Sequence, residues 1–321
     1  MAIYLVTGGA GFIGSHLVER LVREGATVRV VDNLSTGRKE NLASVWDKIQ
    51  WFQGDVCDQA LMEEVVQGVD CIFHQAALAS VPRSLEAPLE THAACATGTL
   101  TVLEAARRAG VRRVVYAASS SAYGNRPTSS KQETDLPEPI SPYAAAKLAG
   151  EYYCQAFTAA FGLETVVLRY FNVFGPRQDP DSPYSAVIPI FITAILRGRR
   201  PVIYGDGRQS RDFVYVENVV EANLLAAHSA GAVGRVLNIG SGRATDLLTL
   251  LALLSRLLGR EVQPEFAPPR PGDVRESLAD ISLAHRVLGY QPQVDFEEGL
   301  RRSIGYYRQL IETGGPSNGL L

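Results

Sequence analysis

With 321 residues, 46% of them hydrophobic, the chain can bury more than one core, which excludes a disordered or fibrous protein. Its formal net charge of −3 has no long block of one sign, so neither nucleic acid nor an anionic membrane surface is expected as a partner. Cys57, Cys71, Cys95 and Cys154 are scattered, without a CxxC pair or ligand-like spacing to the histidines, so reduced packing thiols and no metal are expected. No apolar run approaches the ~20 residues of a membrane span. A first strand beginning at residue 3 leaves no room for a signal peptide, so the expected address is the cytoplasm.

The opening stretch sets the fold. Residues 3–6 form a continuous apolar run, the mark of a buried parallel strand, and Ile13, Leu17, Val18 and Leu21 then recur at helical spacing. Between them Gly8, Gly11 and Gly14 stand where a Cβ would block a tight turn, the approach of backbone to pyrophosphate, or helix-on-strand packing. N–H groups at the helix start would face the anion. A second strand, residues 27–31, ends at Asp32, whose carboxylate can accept from a ribose diol and would repel a 2′-phosphate; the pattern therefore favours NAD over NADP. In the polar loop that follows, Asn33, Ser35 and Thr36 are candidate donors to the adenosine ribose and Gly37 is the bend.

Further strands are expected at 51–53, 71–74 and 113–118, separated by helices at 59–66 and about 97–108. Asp55, before Val56, is a candidate partner for the adenine amino group or the start of a turn. Gln75, Ala76 and Ala77 end the fourth strand with side chains small enough to admit a cofactor, and His74 is read as a structural hydrogen-bonding residue. Alternating β and α elements call for a Rossmann-type doubly wound parallel sheet with helices on both faces. The fifth strand runs into Ser119, Ser120 and Ser121, at the sheet edge where ligands of open α/β sheets bind. Ser141 is a good N-cap and Pro142 suits the first helical position, placing Tyr143 in a first helical turn with Lys147 four residues on, on the same face. A nearby ammonium, a positive helix start and a cationic nicotinamide should lower the phenol's pKa and make it a usable general base.

TGGAGFIG, DNLSTG, GDV, the SSS turn, SPYAAAK, LRYFNVFGPRQDP, GDGRQSRDFVYV and RPGDVRESLAD follow one another in an order that resembles the extended short-chain dehydrogenase/reductases, and more narrowly the NAD-dependent nucleotide-sugar epimerases. The resemblance covers nearly the whole chain. It implies a catalytic trio of Ser119 or Ser120, Tyr143 and Lys147. It sets Phe12, Ile13, Asp32, Asn33, Asp55, Val56, Tyr170, Phe171 and Asn172 along cofactor or substrate, with Ala186, Val187 and Tyr204 also on the substrate side. Cys95 stands where the family usually carries an Asn beside the cofactor. Arg211 and Arg270 become the cations for a uridine diphosphate, Asp273 the acceptor of its ribose hydroxyls, and Ser277 a small residue where epimerases restricted to glucose and galactose have a bulky Tyr.

Beyond Asn172 the composition shifts to Pro-, Gly- and Arg-rich connections. We therefore expect an NAD-binding domain of 1–172 plus about 213–241, and a smaller mixed α/β domain for the nucleotide sugar of about 173–212 plus 242–321. Residues 236–239 are expected as a last sheet strand and 241–260 as a leucine-rich helix covering it. The implied activity is NAD-dependent C4 epimerisation of a UDP-sugar, the N-acetylglucosamine/N-acetylgalactosamine pair, the glucose/galactose pair or both, with UDP-glucuronate as the alternative substrate and a homodimer expected from the same resemblance. Two other activities fit the scaffold: a 4,6-dehydratase or decarboxylase sharing the opening step, and a non-catalytic nucleotide sensor. Related dehydratases carry an Asp-Glu pair directly after the catalytic Ser/Thr, where this chain has Ser120 and Ser121, and a sensor has no need of the Ser-Tyr-Lys set.

Overall fold

The computed structural model describes residues 2–128, 130–180, 186–269 and 274–313. Strands β1 (Ile3–Thr7), β2 (Thr27–Asp32), β3 (Ile49–Gln53), β4 (Cys71–His74), β5 (Arg113–Ser119), β6 (Glu164–Tyr170) and β10 (Val236–Ile239) build a seven-stranded sheet in the order β10-β6-β5-β4-β1-β2-β3. Every pairing in it is parallel. The chain winds outward from β1 to β3, then returns to β4 on the other side of β1. This reversal opens a crevice beyond the carboxyl ends of β1 and β4.

The inner strands are mainly apolar because both faces are covered. Tyr4 and Val6 of β1 point into one core, shared with Leu17, Val18 and Leu21 of α1 (Phe12–Arg23), while Leu5 points into the opposite core. That second core takes Met62 of α2 (Gln59–Val65), Val102 and Leu103 of α5 (Gly98–Ala109) and Phe157 of α6 (Pro142–Phe161). Between β4 and α5 lie two short helices absent from the sequence reading, α3 (Val81–Glu86) and α4 (Pro88–His92), and a π-turn at Ala93–Thr97. Ser80 caps α3 through the Arg83 N–H, and a proline opens each short helix, so capping chemistry rather than periodicity was the available signal.

A third core lies outside the sheet, among α7 (Val187–Leu196), α9 (Leu247–Leu258) and α11 (Phe296–Glu312). The helix expected at 241–260 begins only at Leu247, capped by Asp246, and covers this core rather than the large sheet. The preceding residues form strand β11 (Ala244–Asp246), because Asp212 gathers the Ser241 and Gly242 N–H groups and turns the chain. β11 runs antiparallel to β9 (Ser210–Tyr215), while β7 (Asn172–Phe174) and β13 (Glu276–Ser277) pair parallel with β9. A separate pair joins β8 (Val202–Tyr204) to β12 (Glu265–Ala267). Helices α8 (Val216–His228) and α10 (Ser282–Leu288) complete the fold.

Candidate active site

The crevice between β1 and β4 is shaped by backbone. A Cβ on Gly14 would lie 2.2 Å from the Gly8 carbonyl oxygen, and one on Gly8, at φ +67°, would lie 2.7 Å from the Ala76 nitrogen. The loop and the ends of both strands therefore touch through main chain, leaving the N–H groups at the start of α1 for an anion. Asp32 is buried at the end of β2, accepting from the Ala10 and Leu34 N–H groups at 2.9 and 2.8 Å. Gly37 folds back over it so closely that a Cβ there would stand 2.9 Å from either carboxylate oxygen. Burial pushes the Asp32 carboxyl above its ordinary value, against the two N–H donors. Beside it Asn33 donates to Asp55 at 2.8 Å and takes the Ser35 N–H on its own carbonyl, so these polar groups form one rim. The residues fit a dinucleotide: a pyrophosphate cradle that a Cβ would fill, and a carboxylate at the end of the next strand that could accept from a ribose diol.

His74 lies wholly buried below the crevice. Thr99 Oγ1 donates its proton to the Cys95 carbonyl at 2.6 Å, so the imidazole Nε2–H must donate to Thr99 and Nδ1 must accept from Thr7 Oγ1 at 2.7 Å. Both ring nitrogens are satisfied in the neutral form, and burial lowers the imidazole to about 3. Tyr170 likewise faces the crevice floor, its hydroxyl among Gln75 and Asn223.

Helix α6 begins as its sequence implies: Ser141 Oγ accepts the Ala144 N–H at 3.2 Å and Pro142 opens the first turn. Tyr143 in that turn meets the Ser119 hydroxyl at the end of β5, and Ser119 Oγ also accepts the Ser121 N–H at 3.1 Å, opening the short turn Ser120–Tyr123. Lys147, 2% exposed, donates from Nζ to the Ala117 carbonyl at 2.8 Å and lies 4.9 Å from the Tyr116 ring. The expected lowering of the phenol counts the cofactor's cation together with Lys147 and the helix start. The protein alone raises the Tyr143 phenol above its ordinary value: burial dominates, the Cys95 thiol adds to the rise, and only the Ser119 hydroxyl opposes it. The Lys147 ammonium is turned to the β5 carbonyl, and an enclosed phenolate loses its hydration. Cys95 reaches the site because the π-turn rotates it inward, where it packs with Ala77, Tyr143 and Ala146.

From this trio a cleft of about 790 Å³ runs toward the β9 sheet. Its walls bring together Ser119, Ser120, Ser121, Tyr143, Phe171, Asn172, Ala186, Val187, Tyr204, Arg211 and Ser277, which the sequence had assigned from separate motifs. Ser121 Oγ is enclosed without a partner among the described residues. Parallel pairing of β13 with β9 sets Ser277 directly opposite Arg211. Arg270 and Asp273 lie outside the described residues. The wall also carries cations not singled out beforehand, Lys131, Arg199 and Arg200, against one carboxylate, Glu276, among the described residues. Clustering of basic residues at 197–200 was the available signal, but it reads equally as a solvated turn.

A crevice that fits a dinucleotide meets, at a Ser-Tyr-Lys set, a cleft lined by basic side chains, the arrangement of a short-chain dehydrogenase/reductase. The sequence pattern of the NAD dependent epimerase/dehydratase family matches residues 4–240, and the chain belongs to that family. It is 42% identical over 309 residues to a UDP-glucose 4-epimerase of Mycolicibacterium smegmatis, covering 95% of this chain and 98% of that one. The UDP-glucose 4-epimerase of Thermotoga maritima, solved with UDP-glucose, superposes with a TM-score of 0.92 at 41% identity, covering 96% of this chain and 99% of its own. The UDP-N-acetylglucosamine 4-epimerase of Methanobrevibacter ruminantium, in complex with UDP-N-acetylmuramic acid, gives the same score and identity over 96% and 98%. The chain is thus similar to UDP-sugar 4-epimerases along nearly its whole length, and its family uses NAD.

Proposed function

We propose that this protein inverts C4 of a UDP-sugar through a 4-keto intermediate, with UDP-N-acetylglucosamine and UDP-N-acetylgalactosamine as substrates at least as good as UDP-glucose and UDP-galactose. The observation that carries the reading is the continuity of one cleft from the Tyr143 phenol to the Arg211 and Ser277 wall. Tyr143 takes the proton of the sugar 4-hydroxyl and returns it to the inverted alcohol, with the Ser119 hydroxyl, or that of Ser120, holding the 4-oxygen. Bound NAD would supply the hydride acceptor and donor for C4 and a cationic ring that favours the phenolate burial disfavours. Gly8, Gly11 and Gly14 hold its pyrophosphate and Asp32 its ribose. Arg211 and Arg270 grip the diphosphate, and Asp273 takes the nucleotide ribose. Net redox change is zero, so one retained cofactor serves every turnover.

Ser277 supports the acetamido sugars because the turning intermediate sweeps its 2-substituent past that wall, where a phenol ring would clash and a hydroxymethyl would not. Serines at 120 and 121 supply no carboxylate for the extra proton transfers of a dehydratase. The reading includes two domains divided as the composition suggests, and a homodimer. Leu85, Leu89, Tyr152 and Tyr153, on packed helices α3, α4 and α6, expose apolar surface in the single chain that a second copy would cover.

The test is a turnover screen of UDP-N-acetylglucosamine, UDP-glucose and UDP-glucuronate with chromatographic separation of epimers, beside identification of the nucleotide released on denaturation. Interconversion of the acetamido pair and release of NAD are expected. Turnover of UDP-glucuronate alone, or release of NADP, would overturn the substrate or the cofactor half of the reading. Light scattering that gave a monomer would remove the dimer.

A further inference from the structure

We propose that Glu151 is a positioning residue for the reaction assigned above: with Arg169 and Tyr123 it forms a buried strap that fixes the Ser119 turn against the helix bearing Tyr143 and Lys147. The inference rests on that assignment.

Tyr143, Lys147 and Glu151 recur at four-residue intervals along α6 and so share a face. Glu151 is 1% exposed and Arg169, on β6, 3%. The guanidinium grips the carboxylate as a fork: Nε donates at 3.0 and 3.1 Å and Nη2 at 2.7 Å. Its far side lies 4.7 Å over the Tyr123 ring, and the Tyr123 hydroxyl donates to Asn238 on β10 at 2.7 Å. Tyr123 closes the turn that Ser119 opens. Ser119 and Tyr143 come from strand and helix with no covalent link shorter than the loop between them; Lys147 Nζ on the Ala117 carbonyl and the Tyr116 hydroxyl on the Lys147 carbonyl tie α6 to β5, and this strap ties α6 through β6 to the far end of the Ser119 turn. A buried ion pair adds little to stability over apolar residues of the same volume, so its presence behind a reacting pair points to orientation rather than adhesion.

The carboxylate also faces Lys147 from the next turn. The groups around that ammonium are Cys95 on the π-turn, Cys154 and Glu151 on α6, Tyr116 on β5, His74 on β4 and Tyr143 itself. Glu151 is the carboxylate in this set; burial lowers the ammonium and Glu151 opposes the lowering. Replacing it with a neutral group therefore moves Lys147 titration to lower pH.

Two variants test the strap: Glu151→Gln, and Glu151→Leu/Arg169→Leu, which removes both charges and keeps an apolar core. Turnover, KM for the UDP-sugar, thermal unfolding and the titration of isotope-labelled lysine followed by NMR are measured on each, in the cofactor-loaded protein, beside Tyr143→Phe. We expect kcat to fall by up to about 10²-fold with KM little changed, as for a misplaced reacting group. The Lys147 midpoint should fall in both variants. The double variant should melt near the wild type yet recover neither kcat nor the midpoint. Normal kcat and an unmoved Lys147 midpoint in a folded double variant would overturn the strap, leaving only a structural ion pair. If Glu151→Gln does not fold, the double variant carries the same decision. Undiminished turnover in Tyr143→Phe would instead overturn the assigned reaction, and the lysine titration would still decide the strap.

Discussion

The cofactor crevice and the substrate cleft meet at Tyr143 but are made of different material. The crevice is largely main chain against main chain, with Gly8 on Ala76, Gly14 on Gly8 and Gly37 on Ala10. The cleft wall beyond Asn172 is side chains on strands as short as the two residues of β13. Backbone contact tolerates one residue type at each point and so fixes the ligand class, whereas a wall of side chains can be altered singly and sets which member of the class fits.

The largest effect expected from that contrast is at Gly14. A methyl group 2.2 Å from a backbone oxygen and 2.8 Å from the Gly9 Cα cannot be accommodated by a rotamer change, so Gly14→Ala should displace the start of α1 and abolish NAD retention. Gly11→Ala, whose Cβ would meet the Gly8 oxygen at 3.1 Å, should leave the start of α1 in place but stand in the way of the pyrophosphate, and so weaken NAD retention less than Gly14→Ala does. Cofactor content of the two purified variants, read from the nucleotide released, checks the ranking; equal retention would mean that the crevice is more plastic than its contacts imply.

At the junction, Tyr143→Phe should lower kcat by ~10²–10⁴-fold, the range for losing a general acid–base, with UDP affinity unchanged. Binding of UDP by calorimetry separates this from a collapse of the cleft. Near-normal turnover would detach the phenol from the chemistry.

The same contrast explains what could be read from the chain before its fold was known. β4 and β10 fall on the residues expected, and β1 and β5 extend one residue further, because strands buried on both faces are mainly apolar runs. The start of α6 was equally legible from Ser141 and Pro142, since capping is local. The orientation of Lys147 was not: helical spacing gives a shared face with Tyr143, but the ammonium's partner is a carbonyl of another element. Nor was the inward turn of Cys95, since a π-turn leaves no periodic mark in AACAT. Helix α7 is apolar nearly all round because it is wedged against α9 and α11, a burial no single amphipathic face announces. Arg211 and Ser277 were named from distant motifs, and their adjacency arises from the register of β13 on β9.

On the side-chain wall a single substitution should change specificity while leaving the chemistry. Ser277→Tyr is expected to cut turnover of UDP-N-acetylglucosamine at least about tenfold, the scale of a steric mismatch of a few atoms, and to spare UDP-glucose. The ratio of kcat/KM for the two sugars, before and after, is the measurement. Parallel loss of both activities would place Ser277 in general packing instead.

The smallest effect lies beneath the crevice, where the fold commits His74 to the neutral form. The folded imidazole is lowered to about 3 from its ordinary 6.5, so below pH 6.5 the unfolded chain takes up a proton that the native state refuses. Stability from this group is therefore complete above pH 6.5 and is lost as pH falls toward 3. One pH unit below the ordinary value costs about 1.4 kcal/mol, so urea unfolding at pH 7.5 and 5.5 should differ by about that amount on account of His74. His16, lowered to about 4 by burial and Arg177, acts in the same direction and should persist when His74 is replaced. The buried acids raised in the fold, Asp32, Glu151 and Asp212, act in the opposite sense, toward greater stability as pH falls, and are common to both proteins compared. In His74→Gln, absolute stability should drop, because the amide cannot bridge Thr7 and Thr99 as the ring does or stack on Tyr116, yet the loss between the two pH values should shrink. An equal loss in both proteins would mean that the imidazole takes its proton inside the fold, and that the hydroxyl pair around it can reverse its donors.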